Sequence, residues 1–123
     1  MLVATARNAA DLLGSLFVEG EAEKLVVLYL DAGRNMIGLE EYPGGADEAV
    51  LPLRAIFASA LHRHAAGLLV AHNHPSGDPS PSRADVDATA RLAGVAAALD
   101  IQLHDHLVFA GGACRSFRAL GLL

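Results

Sequence analysis

Tryptophan is missing from this 123-residue chain, cysteine occurs once, and aromatic residues make up only 5%. A single cysteine, Cys114, closes no internal disulfide and builds no cysteine-rich zinc site, so a reducing, cytoplasmic setting is expected. Basic residues are also scarce: nine Lys and Arg face fourteen Asp and Glu, giving a net charge of −5 and a pI near 5.6. That balance, with few aromatic rings to stack on bases, argues against a direct grip on nucleic acid. A local basic patch would have to come from Arg54, Arg63, Arg115 and Arg118. No apolar run approaches a bilayer span, and runs such as Leu25–Leu30 and Gly67–Ala71 fall far short of one, so no membrane partner is expected. Thr5, Arg7, Asn8 and Asp11 stand where a secretory leader needs apolar residues, and none is expected. What is present is a hydrophobic fraction of 53% against 19% charged. At this length that suffices to bury a core, and residues 1–123 read as one domain whose first 20 residues form a helical segment.

The periodicity alternates between strand and helix. Thr5 caps an amphipathic stretch from Ala6 to Val18, with Ala9, Leu12, Leu13, Leu16 and Phe17 on its apolar side. Lys24–Asp31 is a nearly continuous apolar run, the pattern of a strand covered on both faces, and the turn residues Ala32–Asn35 join it to Met36–Tyr42 as a hairpin. Pro52 opens a helix running to Arg63, where its missing N–H costs nothing. Gly67–Ala71 reads as a buried strand, His72–Pro81 as a proline-broken loop, and Arg83–Leu99 as an alanine-rich helix that begins after Ser82. Ile101–Phe109, the Gly111-Gly112 turn and a short final strand follow. Helices alternating with strands, plus hairpins, predict an α/β domain with a mixed β-sheet and flanking helices.

The histidines carry the chemistry. His72 and His74 end the Gly67–Ala71 strand two residues apart, and in extended chain that spacing sets both imidazoles on one side. Asp85 lies in the first turn of the helix after the loop, where a folded-back loop brings its carboxylate to the same ion. Two imidazoles and one carboxylate leave a tetrahedral metal with a fourth position, the ligand count of a catalytic zinc. A plainer reading stands beside it: Ser82 and Asp85 also suit a helix start, with Ser82 as cap and Asp85 at the positive end. His62 and His64 repeat the spacing, but on a helix residues two apart point about 200° from each other. His104 and His106 fall in a strand and are expected to support or pack rather than ligate. Cys114, beside a turn, has no base in view and is expected to be a buried thiol.

The pattern H-x-H, seven residues, then S-x-x-D resembles the JAMM motif of JAB/MPN zinc metallopeptidases, and the wording His72-Asn73-His74-Pro75-Ser76-Gly77-Asp78 through Asp85 is similar to the RadC family in particular. The likeness runs from about Glu23 to the C-terminus and takes in the Pro52-Leu53-Arg54 helix start and Asp105-His106. It departs at Leu25, where phenylalanine is usual, and at Gly44-Gly45, where Gly-Thr is usual. The resemblance implies a cytidine-deaminase-like layered fold, one zinc ion per chain held by His72, His74 and Asp85, and a general base at Glu23 just ahead of the first core strand. Glu19, Glu21, Glu40 and Glu41 compete with Glu23 on composition alone. It also implies that Ser82 stabilises an oxyanion. The expected function is a zinc-dependent hydrolase acting on a peptide or isopeptide bond, with a peptide or protein as substrate. The alternative is a metal-bearing interaction module in DNA repair or mobile-element biology with little catalytic activity.

Overall fold

The computed structural model describes residues 2, 3, 5–17, 22–44 and 51–123. Its elements are α1 (Ala6–Gly14), β1 (Lys24–Leu30), β2 (Met36–Pro43), α2 (Leu53–His62), β3 (Gly67–Asn73), α3 (Arg83–Ala98), β4 (Gln102–Ala110) and β5 (Ala113–Ser116). The strands form one mixed sheet, as the alternating pattern predicts, and their order is β2-β1-β3-β4-β5. Only β3 and β4 run parallel. A parallel pair needs a long crossover, and α3 supplies it, which places the loop after β3 and the start of α3 at one end of the sheet.

Both sheet faces are covered, as the unbroken apolar runs of β1 and β3 require. Val27, Tyr29, Leu68 and Val70 pack with Ile56, Phe57 and Ala60 of α2 and with Leu92 and Ala96 of α3. On the opposite face Val26, Leu28, Leu69 and Ala71 pack with Ala9 and Leu13 of α1. Each of these large side chains, fully buried, contributes roughly 1.5–3 kcal/mol of transfer free energy.

Two boundaries differ from expectation. Helix α1 ends at Gly14 rather than running on, because Gly14 and Ser15 are poor helix formers and the chain tightens there through Leu16 N–H to Leu13 C=O at 2.9 Å. Val18, the expected end, and residues 19–20 of the expected segment lie outside the described residues. Strand β3, by contrast, continues past Ala71 to Asn73, because His72 still pairs with Leu25 and Val108, and Asn73 with Phe109. The loop therefore starts at His74.

One irregularity matters for the site. The β3–β4 register slips between Leu68/Leu103 and Leu69/Asp105, so His104 is the extra residue of a bulge. Leu103 and His106, three apart instead of two, consequently both meet the α2/α3 layer, Leu103 in its core and His106 through Thr89 of α3. His104 leaves that layer and lies against Gly67, where an added Cβ would stand 2.4 Å from its Nε2.

Candidate metal centre

At the end of β3 three side chains meet. His72 and Asp85 are buried and His74 is half-buried. His72 Nε2 lies 2.9 Å from His74 Nε2. Asp85 Oδ2 is 2.9 Å from His74 Nε2, and Oδ1 is 3.3 Å from His72 Nε2. The outer face of His74 is fixed by the backbone: its Nδ1 sits 2.9 Å from the Asp78 carbonyl oxygen, which only accepts, so Nδ1 carries the proton and Nε2 of the neutral ring offers a lone pair. A carboxylate, which only accepts, closes the other side. A buried cluster of acceptors facing one another calls for a cation between them. Ligand bonds of 2.0–2.1 Å in a tetrahedron set ligand atoms about 3.3 Å apart. The observed edges are close to that, so His72, His74 and Asp85 fit a metal ion of the zinc type. Among the described residues no fourth His, Cys, Asp or Glu joins them.

Asp85 is held in place from its own helix. Its backbone N–H donates to Ser82 Oγ at 3.0 Å, and the Ser82 backbone N–H donates back to Asp85 Oδ2 at 2.8 Å, a complete capping box. The helix-start reading and the ligand reading of Ser82-x-x-Asp85 thus hold together, because the cap uses one carboxylate oxygen and leaves the other toward His72. Burial opposes the charge on Asp85, but the neighbouring His72 imidazole and the Ser82 backbone N–H prevail and hold its carboxyl well below the usual carboxylate range.

Behind His72 lies a second tier. His72 Nδ1 is 2.7 Å from His106 Nε2, and His106 Nδ1 is 2.6 Å from Thr89 Oγ1. Phe117 stacks on the His106 ring at 4.4 Å. Burial pushes the pKa of His106 down to about 3. Asp105 ties this tier to the C-terminal tail: Oδ1 accepts from the His106 and Arg118 backbone N–H groups, and Oδ2 accepts from Ser116 Oγ.

Glu23 sits immediately before β1. The pairing of β1 with β3 ends with Leu25 opposite His72, and Glu23 stands two residues beyond it. Asn73, on the other face of β3, grips the chain on both sides of it: Lys24 N–H donates to Asn73 Oδ1 at 2.8 Å and Asn73 Nδ2 donates to the Ala22 carbonyl at 3.2 Å. Gly44 is packed so closely that a Cβ there would stand 2.7 Å from the Glu23 carbonyl oxygen. The competing glutamates are engaged elsewhere. Glu40 binds Tyr42, Ser59 and Arg63, and Glu41 lies 3.4 Å from Lys24 Nζ. Glu19 and Glu21 lie outside the described residues.

His62 and His64 stay exposed at the end of α2, apart from the cluster. Cys114 is half-buried, and burial raises its thiol to about 11. With Phe17, Asn73, His74, Phe109 and Gly111 it lines a cavity of about 420 Å³ beside the cluster. Asn73, Thr89 and Phe117 carry no role in the sequence reading.

A sequence profile for the RadC-like JAB domain matches residues 3–122. Among curated proteins, the UPF0758 protein of Ruegeria pomeroyi is 42% identical over 104 residues, covering 84% of this chain and 46% of that protein. The UPF0758 protein of Rhodobacter capsulatus is 44% identical over 102 residues, 82% of this chain and 48% of its own length. That of Salinibacter ruber is 34% identical along the whole chain and 53% of its own length. The chain thus spans about half the length of the curated relatives it matches. Among the described residues no helix is long and apolar enough to cross a membrane.

Proposed function

The chain belongs to the RadC-like JAB domain family, and from that premise we propose that it is a zinc-dependent hydrolase cleaving a peptide or isopeptide bond. The observation that carries the reading is the buried convergence of His72 Nε2, His74 Nε2 and the Asp85 carboxylate, a three-ligand set with no fourth among the described residues. Zinc held there supplies Lewis acidity, polarising a carbonyl and lowering the pKa of a water toward about 7.

The chain's own residues do the rest. Glu23 takes a proton from the attacking water and returns it to the leaving amine as the C–N bond breaks, so its carboxylate ends the cycle as it began. Ser82 Oγ spends a lone pair on the Asp85 N–H and keeps its own O–H to donate toward the carbonyl oxygen as charge develops there. Asn73 holds the Glu23 segment against β3 by the two bonds that flank it. The net charge of −5 fits a protein or peptide substrate better than a nucleic acid. An unpaired Cys114 fits a cytoplasmic setting.

Elemental analysis of the purified protein tests the centre, with about one zinc per chain expected, most of it lost in His74→Ala and retained in a His62→Ala, His64→Ala double variant. Turnover of a peptide library tests the chemistry. Zinc without turnover would favour the interaction-module reading, and sub-micromolar binding of duplex DNA at physiological salt would return a nucleic-acid role.

A further inference from the structure

His72 is buried, and a buried imidazole binds a metal through Nε2 only if its proton is on Nδ1. Nothing in the ring itself enforces that choice, so it has to come from the partner of Nδ1. His74 has a backbone carbonyl in this role. His72 instead has another histidine, His106, whose Nε2 can donate or accept according to its own tautomer. The question passes one residue further along.

Thr89 resolves it. Its hydroxyl has a single proton, and Oγ1 lies 2.7 Å from the Asp85 backbone carbonyl oxygen, which can only accept. The proton therefore goes to Asp85. Toward His106 Nδ1, 2.6 Å away, the hydroxyl must accept, so His106 carries its proton on Nδ1. The partners of His106 are an imidazole and a hydroxyl rather than a carboxylate, and the ring is 1% exposed under Phe117. It is neutral with one N–H, and its Nε2 presents a lone pair. At 2.7 Å, His72 Nδ1 must then donate to it, and His72 Nε2 is left bare, aimed at His74 and Asp85.

We propose that Thr89 and His106 are positioning residues that fix the tautomer of His72, through a directed chain of hydrogen bonds that runs from His72 Nδ1 to the Asp85 backbone carbonyl. The inference deepens the metal-centre reading and rests on it. The bulge at His104 is what the fold contributes: by adding one residue to β4 it brings His106 to the face where His72 and Thr89 stand.

The test compares zinc affinity, by competition with a chromogenic chelator, in wild type, His106→Leu, His106→Gln, Thr89→Val and Thr89→Ser, with a thermal melt of each. Leucine fills the space but takes no proton from His72, and a weakening of about 10- to 100-fold is expected. Glutamine offers a carbonyl to His72 and an N–H to Thr89, so it should recover most of the affinity. Thr89→Ser should bind as wild type, whereas Thr89→Val should weaken. If leucine and glutamine bind zinc equally well at comparable stability, His106 is packing and the proposal is overturned. A variant too unstable to titrate is replaced by side-chain ¹⁵N spectra of the metal-free wild-type protein. These should show His106 protonated on Nδ1 with Nε2 bare, and the opposite tautomer would overturn the relay. If the wild type binds no zinc, the metal-centre reading fails, and the same spectra decide the relay alone.

Discussion

Replacing Ser82 separates two tasks that one hydroxyl performs at once. As the cap of α3 its Oγ accepts the Asp85 N–H at 3.0 Å; as an oxyanion donor it would use its remaining proton. Alanine removes both functions. Loss of a serine cap typically costs about 1 kcal/mol, which for a domain of this size lowers Tm by roughly 4 °C. Removing an oxyanion donor costs about 10²- to 10³-fold in kcat. Glycine removes the same hydroxyl but is a tolerable cap residue, and against serine it costs only a few tenths of a kcal/mol. Ser82→Gly should therefore melt close to wild type and yet lose as much kcat as Ser82→Ala. Zinc should stay bound in both, because the Ser82 backbone N–H that holds Asp85 Oδ2 is untouched by either change. The assays are a thermal melt, zinc content and hydrolysis of a substrate from the peptide library. Wild-type kcat in Ser82→Gly would refute the oxyanion role and leave Ser82 a cap. Zinc loss in Ser82→Gly would refute the claim that the backbone half of the capping box positions the ligand.

Three other outcomes are expected. Glu23→Gln should keep its zinc and lose about 10²- to 10⁴-fold in rate, since an amide cannot carry the proton; loss of zinc instead would make Glu23 a ligand, and full activity would remove it from the mechanism. Asn73→Ala leaves the Lys24 N–H and the Ala22 carbonyl without their bonds; a stability cost of about 1–3 kcal/mol is expected. The same variant should show a fall in kcat with zinc unchanged, and an unchanged kcat would show that Glu23 is held by other means. Hydrogen bonds from Tyr42, Arg63 and Ser59 bring the Glu40 pKa down to about 2 from 4.5. Because the folded-state value is the lower one, this stabilisation is complete above about pH 4.5 and is lost as the pH falls toward about 2. With the Glu40 side chain about a third exposed, the contribution is discounted to below about 1 kcal/mol. Glu40→Gln should flatten the stability–pH curve in that window, and an unchanged acid limb would show that the network adds nothing.

The fold was legible because its strands are short, apolar and separated by strong punctuation. Lys24–Leu30 and Gly67–Ala71 have few alternatives to burial on both faces, and Pro52, Ser82 and Gly111-Gly112 mark where elements begin or turn. Periodicity failed at the ends. Leu16 and Phe17 continue the apolar spacing of α1 beyond the point where Gly14 and Ser15 stop the helix, because both still pack on the α1 side of the sheet from a non-helical turn. His72 and Asn73 look like loop residues by polarity, yet they stay in β3. Strand pairing on both edges outweighs side-chain polarity there, since leaving the ladder would strand buried backbone groups.

The site was legible in a different way. Period two along an extended chain, which brought His72 and His74 together, is a local rule and works from one segment. Asp85 follows from the length of a loop and the position of a cap, again within one stretch of chain. His106 and Thr89 obey no such rule. The link of His106 to His72, and of Thr89 to His106, depends on the parallel pairing of β3 with β4, on the docking of α3 across both, and on one extra residue at His104 that shifts the alternation. Without that bulge, period two from Leu103 would point His106 to the α1 face, away from His72. The ligands of such a centre are written in consecutive residues, whereas the groups that decide how those ligands hold their protons are written in the register between strands. A reading confined to spacing reaches the first and stops short of the second.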